Sequence, residues 1–172
     1  MGFGARHPRR VVQGTAYNAR DLTPFGGHMS KLTLKQANTI IEKALEKARE
    51  MKIKPLSVVV LDDAGNVRSA QREDGASMFR FDVAQGKAWA SVAMGVSSRA
   101  LLKRAKDNPN FFITLAATAK GKFLPQTGGV LIKDEKGEIL GAAGASGGTG
   151  EEDEEACVAG IQAAGLTADA AG

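Results

Sequence analysis

Two short stretches constrain this chain most: VVLDDAGNV at 59–67 and LIKDEKGEI at 131–139. Each runs from an apolar segment into an aspartate, then a turn glycine, then a β-branched residue. That pattern predicts a β-hairpin, and hairpin strands are antiparallel. The expected strands are LSVVVLD (56–62) with VRSAQRE (67–73), and VLIKD (130–134) with EILGAAGAS (138–146). Either an internal repeat or convergent turn chemistry accounts for the likeness of the two.

The segments around the hairpins read as helices. In LTLKQANTIIEKALEKAREM, Thr33 and Gln36 form a capping box. Leu34, Ala37, Ile41, Ala44, Leu45, Ala48 and Met51 recur at three- and four-residue spacing, while Glu42 and Glu46 fall on the solvated side. From Ser77 to Gly95 a second helix sets Met78, Phe81, Ala84, Ala88 and Val92 on one side. A short helix follows from Ser97 or Ser98 to about Lys106, and Asn108-Pro109-Asn110 breaks it. FFITLAATAK (111–120) stays open between helix and strand. The last helix starts at Thr149 and ends near Gly165, and LTADAAG reads as a frayed tail. The order helix, hairpin, helices, hairpin, helix predicts an α+β domain with one antiparallel sheet of about five strands and helices packed on it.

Charge narrows the functional classes. The chain carries a formal +4, but residues 1–31 hold Arg6, Arg9, Arg10, Arg20 and Lys31 against Asp21 alone. The rest is balanced, so nucleic acid is not an expected partner. No apolar run reaches the length of a membrane span. The single cysteine, Cys157, excludes an intrachain disulfide and a Cys-rich zinc site, and its helical setting suits a small buried side chain. Residues 1–30 show no periodicity. Gly27-His28-Met29 resembles a cloning junction, so this stretch is expected to be a vector leader or an unstructured extension, with the domain spanning 31–172. Both histidines, His7 and His28, fall in that leader. Residues 31–172 therefore offer no histidine for acid–base chemistry or metal ligation, and no metal site is expected.

GASGGTGEEDEE (144–155) has the layout of a phosphate cradle: an apolar run, a glycine-rich turn, then a helix. A Walker loop, however, needs lysine and Ser/Thr after its last glycine, and Glu151 follows Gly150. Thr149 and Glu152 instead make a second capping box, and the acids suit the helix dipole. A bare phosphate is not expected here, although the amides of Gly147 and Gly148 are candidates to face a pocket. Three further candidates stand beside plainer readings. Arg72, Asp74 and Gly75 sit at a strand end, as ligand-binding groups or as a solvated turn. Lys87 lies in an apolar helix, as a site residue or, favoured by its chemistry alone, as a snorkelling surface lysine. Gly128 and Gly129 end LPQTGG, as a pocket wall or as a loop entering a strand.

Together, LTLKQANTIIEKALEKA, VVVLDDAGNV, REDGAS, GKAWASVAMGVSS and TGGVLIKDEKGEILGAAGASGGTGEEDEEACVAGI resemble the GlcG/HbpS family, which includes the PduO C-terminal domain. The resemblance covers roughly residues 31–166. It implies a profilin-like α-β-α layered fold around a five-stranded antiparallel sheet, and homo-oligomers. It implies a cytoplasmic protein of small-molecule catabolism or redox sensing that binds a small ligand, haem among the candidates. Residues 31–172 depart from that pattern for haem: they lack His and Tyr, leaving Met51, Met78, Met94 and Cys157 as the axial-ligand types. Where the family helix commonly reads Lys-Ala-Tyr-Thr-Ala, this one reads Lys87-Ala88-Trp89-Ala90-Ser91. Two other functions follow from the same residues. One is a cofactor-independent enzyme in which Arg72 clamps a carboxylate while Asp74 or Lys87 moves a proton. The other is an accessory subunit of a catabolic complex.

Overall fold

Six consecutive residues of one strand, Ser57–Asp62 (β1), are buried. A strand is buried along its whole length only when both sheet faces are covered. The computed structural model, which describes residues 31–171, shows how. A helix, Leu34–Glu50 (α1), precedes β1. Then follow Val67–Arg72 (β2), Phe79–Met94 (α2), Ser98–Asp107 (α3) and Pro109–Thr118 (α4). Gly129–Lys133 (β3), Ile139–Ser146 (β4), Gly150–Ala163 (α5) and Thr167–Asp169 (β5) complete the chain. The sheet order is β2-β1-β4-β3-β5, antiparallel throughout. Because side chains alternate along a strand, Val58, Val60, Val130 and Ile132 meet α1 and α5 on one face. Val59, Leu61, Leu131 and Ala142 meet α2 on the other. The result is an α-β-α layered α+β fold.

The two hairpins share their turn chemistry to the atom. Asp62 Oδ1 accepts the amides of Ala64 and Asn66; Asp134 Oδ1 accepts those of Lys136 and Glu138. Gly65 and Gly137 take left-handed φ values of 78° and 82°, which a glycine adopts without steric cost. The hairpins sit differently in the sheet, however. The first strand of one (β1) pairs with the second strand of the other (β4). Turn chemistry therefore accounts for the sequence likeness without a repeat.

Both capping boxes form, at Thr33–Gln36 and Thr149–Glu152. On α1 the buried side is Ala37, Ile40, Ile41, Ala44 and Ala48. Ile40 and Ile41 together contribute roughly 3–6 kcal/mol of transfer free energy. Several expectations need correction. Leu34 is exposed, since it occupies the first turn before α1 reaches the sheet. α2 begins at Phe79, and Met78, at its N-cap, points to solvent. FFITLAATAK is largely helical: Pro109 starts α4 at a position that needs no amide hydrogen bond. The tail is not frayed. Thr167–Asp169 pairs with β3 as the fifth strand, and the Lys133–Asp169 ion pair at 2.6 Å fastens it. Among the described residues, no helix is long and apolar enough to cross a membrane. The sequence expectations for residues 1–30 lie outside the described residues.

Candidate ligand cleft

α2 rests directly on the sheet because two glycines oppose each other beneath it. Gly129 and Gly144 are cross-strand partners. A Cβ on Gly144 would lie 2.2 Å from the Ala84 carbonyl oxygen, and one on Gly129 would lie 2.5 Å from that of Lys87. No neighbour can yield there, because both obstacles are helix backbone. The close approach carries Lys87 under the surface, where it is 5% exposed. Lys87 is therefore not the snorkelling surface lysine that its chemistry alone favours. Its Nζ donates to Asp153 Oδ2 at 2.8 Å and to the Ala145 carbonyl at 3.0 Å. Gly128 makes the room: a Cβ there would sit 2.8 Å from Nζ and 2.9 Å from Asp153 Cβ. The ion pair thus joins α2 to the first turn of α5, across the entrance to β3.

The glycine turn before α5 now has a clear role. The Gly148 amide donates to Asp153 Oδ1, the Thr149 amide to Glu152 Oε2, and the Glu152 amide to Thr149 Oγ1. Side chains of α5 and its cap thus occupy three of the amides that a phosphate at this turn would meet. Gly147 is buried against Leu56, where a Cβ would lie 2.3 Å from Leu56 Cβ. The amide of Gly148, expected to face a ligand, is engaged by Asp153.

Beside this turn lies a cleft of about 380 Å³. Arg80, Lys87, Thr127, Ser146, Gly148 and Asp153 are among the residues that line it. Arg80 and Lys87 are two helical turns apart on one face of α2. Lys87 is neutralised by Asp153, but Arg80 is not neutralised. Its Nη1 donates to Ser146 Oγ at 3.3 Å, and no carboxylate pairs with it among the described residues. Next to Ser146 across the sheet is Ser57, whose Oγ is buried with no hydrogen-bond partner among the described residues. At the outer side Arg99 grips Glu154 with Nε and Nη2, tying α3 to α5. That carboxylate holds the Arg99 guanidinium above its ordinary pKa. Cys157 lies one turn beyond Asp153, fully buried. Burial pushes its thiol pKa up, with the Asp153 charge adding to the effect.

The residues singled out from sequence fall into two groups. Lys87, Gly128, Gly129, Gly147 and Gly148 come together around the ion pair and the cleft. Arg72, Asp74 and Gly75 do not join them. The Arg72 guanidinium donates to the Ala76 carbonyl within its own turn. Asp74 is exposed, and Gly75 (φ 83°) packs near Pro55. Sequence reasoning passed over Arg80, Thr127, Ser146 and Asp153. Arg80 was findable, since it precedes Lys87 by seven residues and so shares its helical face.

An antiparallel sheet covered on both faces, with a polar cleft where a helix N-terminus meets a strand end, places the chain among small layered α+β domains. The chain belongs to the HbpS-like family, described as haem-degrading protein HbpS-like, whose model matches residues 32–162. No curated protein matches it. Among solved structures it is similar to HbpS at 26% identity and TM-score 0.68, covering 86% of this chain and 97% of that one. The fold also matches a PduOC–haem complex at 24% identity and TM-score 0.72, covering 80% and 98%. A Klebsiella pneumoniae protein, ORFY, matches at 23% and TM-score 0.72, covering 82% and 95%.

Haem, which the family name implies, can be tested against these residues. The cleft presents no thioether, thiolate, imidazole or phenolate to an iron. Met51 packs on the α1 side of the sheet, Met94 packs near Phe112 and Phe123, and Met78 stands in solvent. Cys157 is sealed in the core with its thiol held protonated. An axially ligated haem does not fit the described residues of this cleft.

Proposed function

We propose that the protein binds a small carboxylate-bearing organic molecule in the cleft between α2, the loop before β3 and the start of α5. The observation that carries this reading is Arg80, an arginine at the cleft wall with no carboxylate partner among the described residues. A guanidinium presents a planar fork of donors that matches a carboxylate in two parallel hydrogen bonds. Lys87 has one N–H left after serving Asp153 and Ala145. Ser146 and Thr127 supply hydroxyls. Glu151 at the rim and Asp153 beneath disfavour the greater charge of a phosphate. Because Lys87 is held by Asp153, the reading is of binding rather than turnover. Its setting would be small-molecule catabolism, as the family resemblance implies.

Calorimetric titration with short-chain carboxylates tests this. Charge-assisted hydrogen bonds of about 1.5–3 kcal/mol predict that Arg80→Ala weakens binding roughly 10- to 100-fold. Equal affinity in wild type and Arg80→Ala would refute the assignment.

Family membership favours a second ligand, haem, held by hydrophobic contact without an axial ligand from this cleft. Titration of haemin should then give a saturable Soret shift, and without one this second reading fails. Self-association, also implied by the resemblance, is supported by Phe111 and Ile113, exposed at 51% and 68% on α4. Sedimentation of wild type and Ile113→Glu, expected to differ in mass, would decide it.

A further inference from the structure

A second cleft, of about 430 Å³, lies against the first. Arg80 and Gly148 line both. The outer cleft is walled by the segment that leaves α1. Lys52 takes a left-handed φ of 56°, which turns the chain so that Lys52, Ile53 and Lys54 form one side. Thr149 and Glu152 form the other.

The charges of the two clefts differ. In the inner one Lys87 is matched by Asp153 at 2.8 Å and the remaining carboxylate, Glu151, lies 3.9 Å from Arg99, which leaves Arg80. In the outer one Lys52, Lys54 and Arg80 face a single carboxylate, Glu152. That carboxylate is turned onto the Thr149 amide at 2.7 Å as part of the capping box. Lys52 and Lys54 are exposed and make no ion pair with the described residues. Among the described residues the groove therefore holds two separate groups of unpaired cations, Arg80 at the junction of the clefts and Lys52 with Lys54 on the outer wall.

We infer that the ligand is two-ended: an elongated dicarboxylate with one carboxylate on Arg80 in the inner cleft and the other on Lys52 and Lys54. This rests on the carboxylate reading above. Terminal phosphates fit less well, because the amides of Gly148, Thr149 and Glu152 are already occupied by side chains of α5 and its cap.

The test is calorimetric titration at constant ionic strength with butyrate, succinate, glutarate and adipate. The wild-type protein is compared with the Lys52→Ala/Lys54→Ala double variant. Wild type should bind at least one of the dicarboxylates about tenfold or more tightly than butyrate, the scale of one further charge-assisted contact. In the double variant that ratio should fall towards one. Both positions are exposed and outside the core, so circular dichroism and melting should match wild type. If butyrate binds and no dicarboxylate binds more tightly, the two-ended ligand is refuted while the carboxylate cleft stands. An advantage that survives in the double variant refutes the role of the lysines and with it the proposal. No binding of any of the four by wild type overturns both readings.

Discussion

Replacing Lys87 with methionine tests how the cleft is built. The Lys87 and Asp153 side chains are 7% and 2% exposed, and they meet at 2.8 Å. Lys87→Met keeps length and removes charge. Among the described residues it leaves the buried Asp153 carboxylate with only the Gly148 amide as partner. Breaking a buried pair by removing one member costs about 3–5 kcal/mol. At roughly 2–4 °C per kcal/mol for a domain of this size, the melting temperature should fall by about 6–20 °C. The double variant Lys87→Met/Asp153→Leu removes both charges. It should be more stable than the sum of the single losses allows, with a residual cost of about 1–3 kcal/mol for the Gly148 amide left unpaired. Urea unfolding of the four proteins gives the coupling directly. A loss under about 1 kcal/mol in Lys87→Met would refute the reasoning, since a snorkelling lysine behaves that way. Additive single losses would refute it as well.

Other outcomes follow from the packing. Gly144→Ala should destabilise by about 1–3 kcal/mol or more, because its Cβ would meet the Ala84 carbonyl at 2.2 Å. Calorimetric melting measures this, and an unchanged melting temperature would mean that α2 does not touch the sheet. The Lys133 ammonium holds the Asp169 carboxyl below its ordinary pKa. Its contribution to β5 docking is therefore present above the unfolded value and lost as pH falls through the folded one. Protection of the 167–169 amides against exchange should fall once pH drops below the usual aspartate range of about 3.9, and Asp169→Asn should remove that acid step. Cys157, sealed and held protonated, should react with a thiol reagent only on unfolding. Prompt labelling of the native protein would contradict its burial.

The features that could be read from sequence are those encoded locally. Asp62 and Asp134 each accept two amides within four residues, so the turn chemistry lies in contiguous letters. The capping boxes at Thr33 and Thr149 are likewise complete within a single turn. β5 was missed for the opposite reason. Its three residues carry no periodicity, and only β3 and Lys133 make them a strand.

Lys87 shows why the site resisted reading. Alone, an ammonium on an apolar helix snorkels to water. Its burial depends on Gly129 and Gly144, more than forty residues onward, which let α2 settle on the sheet. It depends also on Asp153, whose place in an acidic run hides it among neighbours that suit a helix dipole. The run EEDEE divides in space. Glu152 closes the cap, Asp153 holds Lys87, Glu154 takes Arg99, and Glu155 reaches Lys47 on α1 at 3.1 Å. Four adjacent acids thus bind four separate partners, because successive helical residues point about 100° apart. A phosphate at this turn would have to displace the Glu152 and Asp153 contacts to the Thr149 and Gly148 amides. A carboxylate on Arg80 displaces none of them, and that difference supports the proposed organic acid over a phosphate.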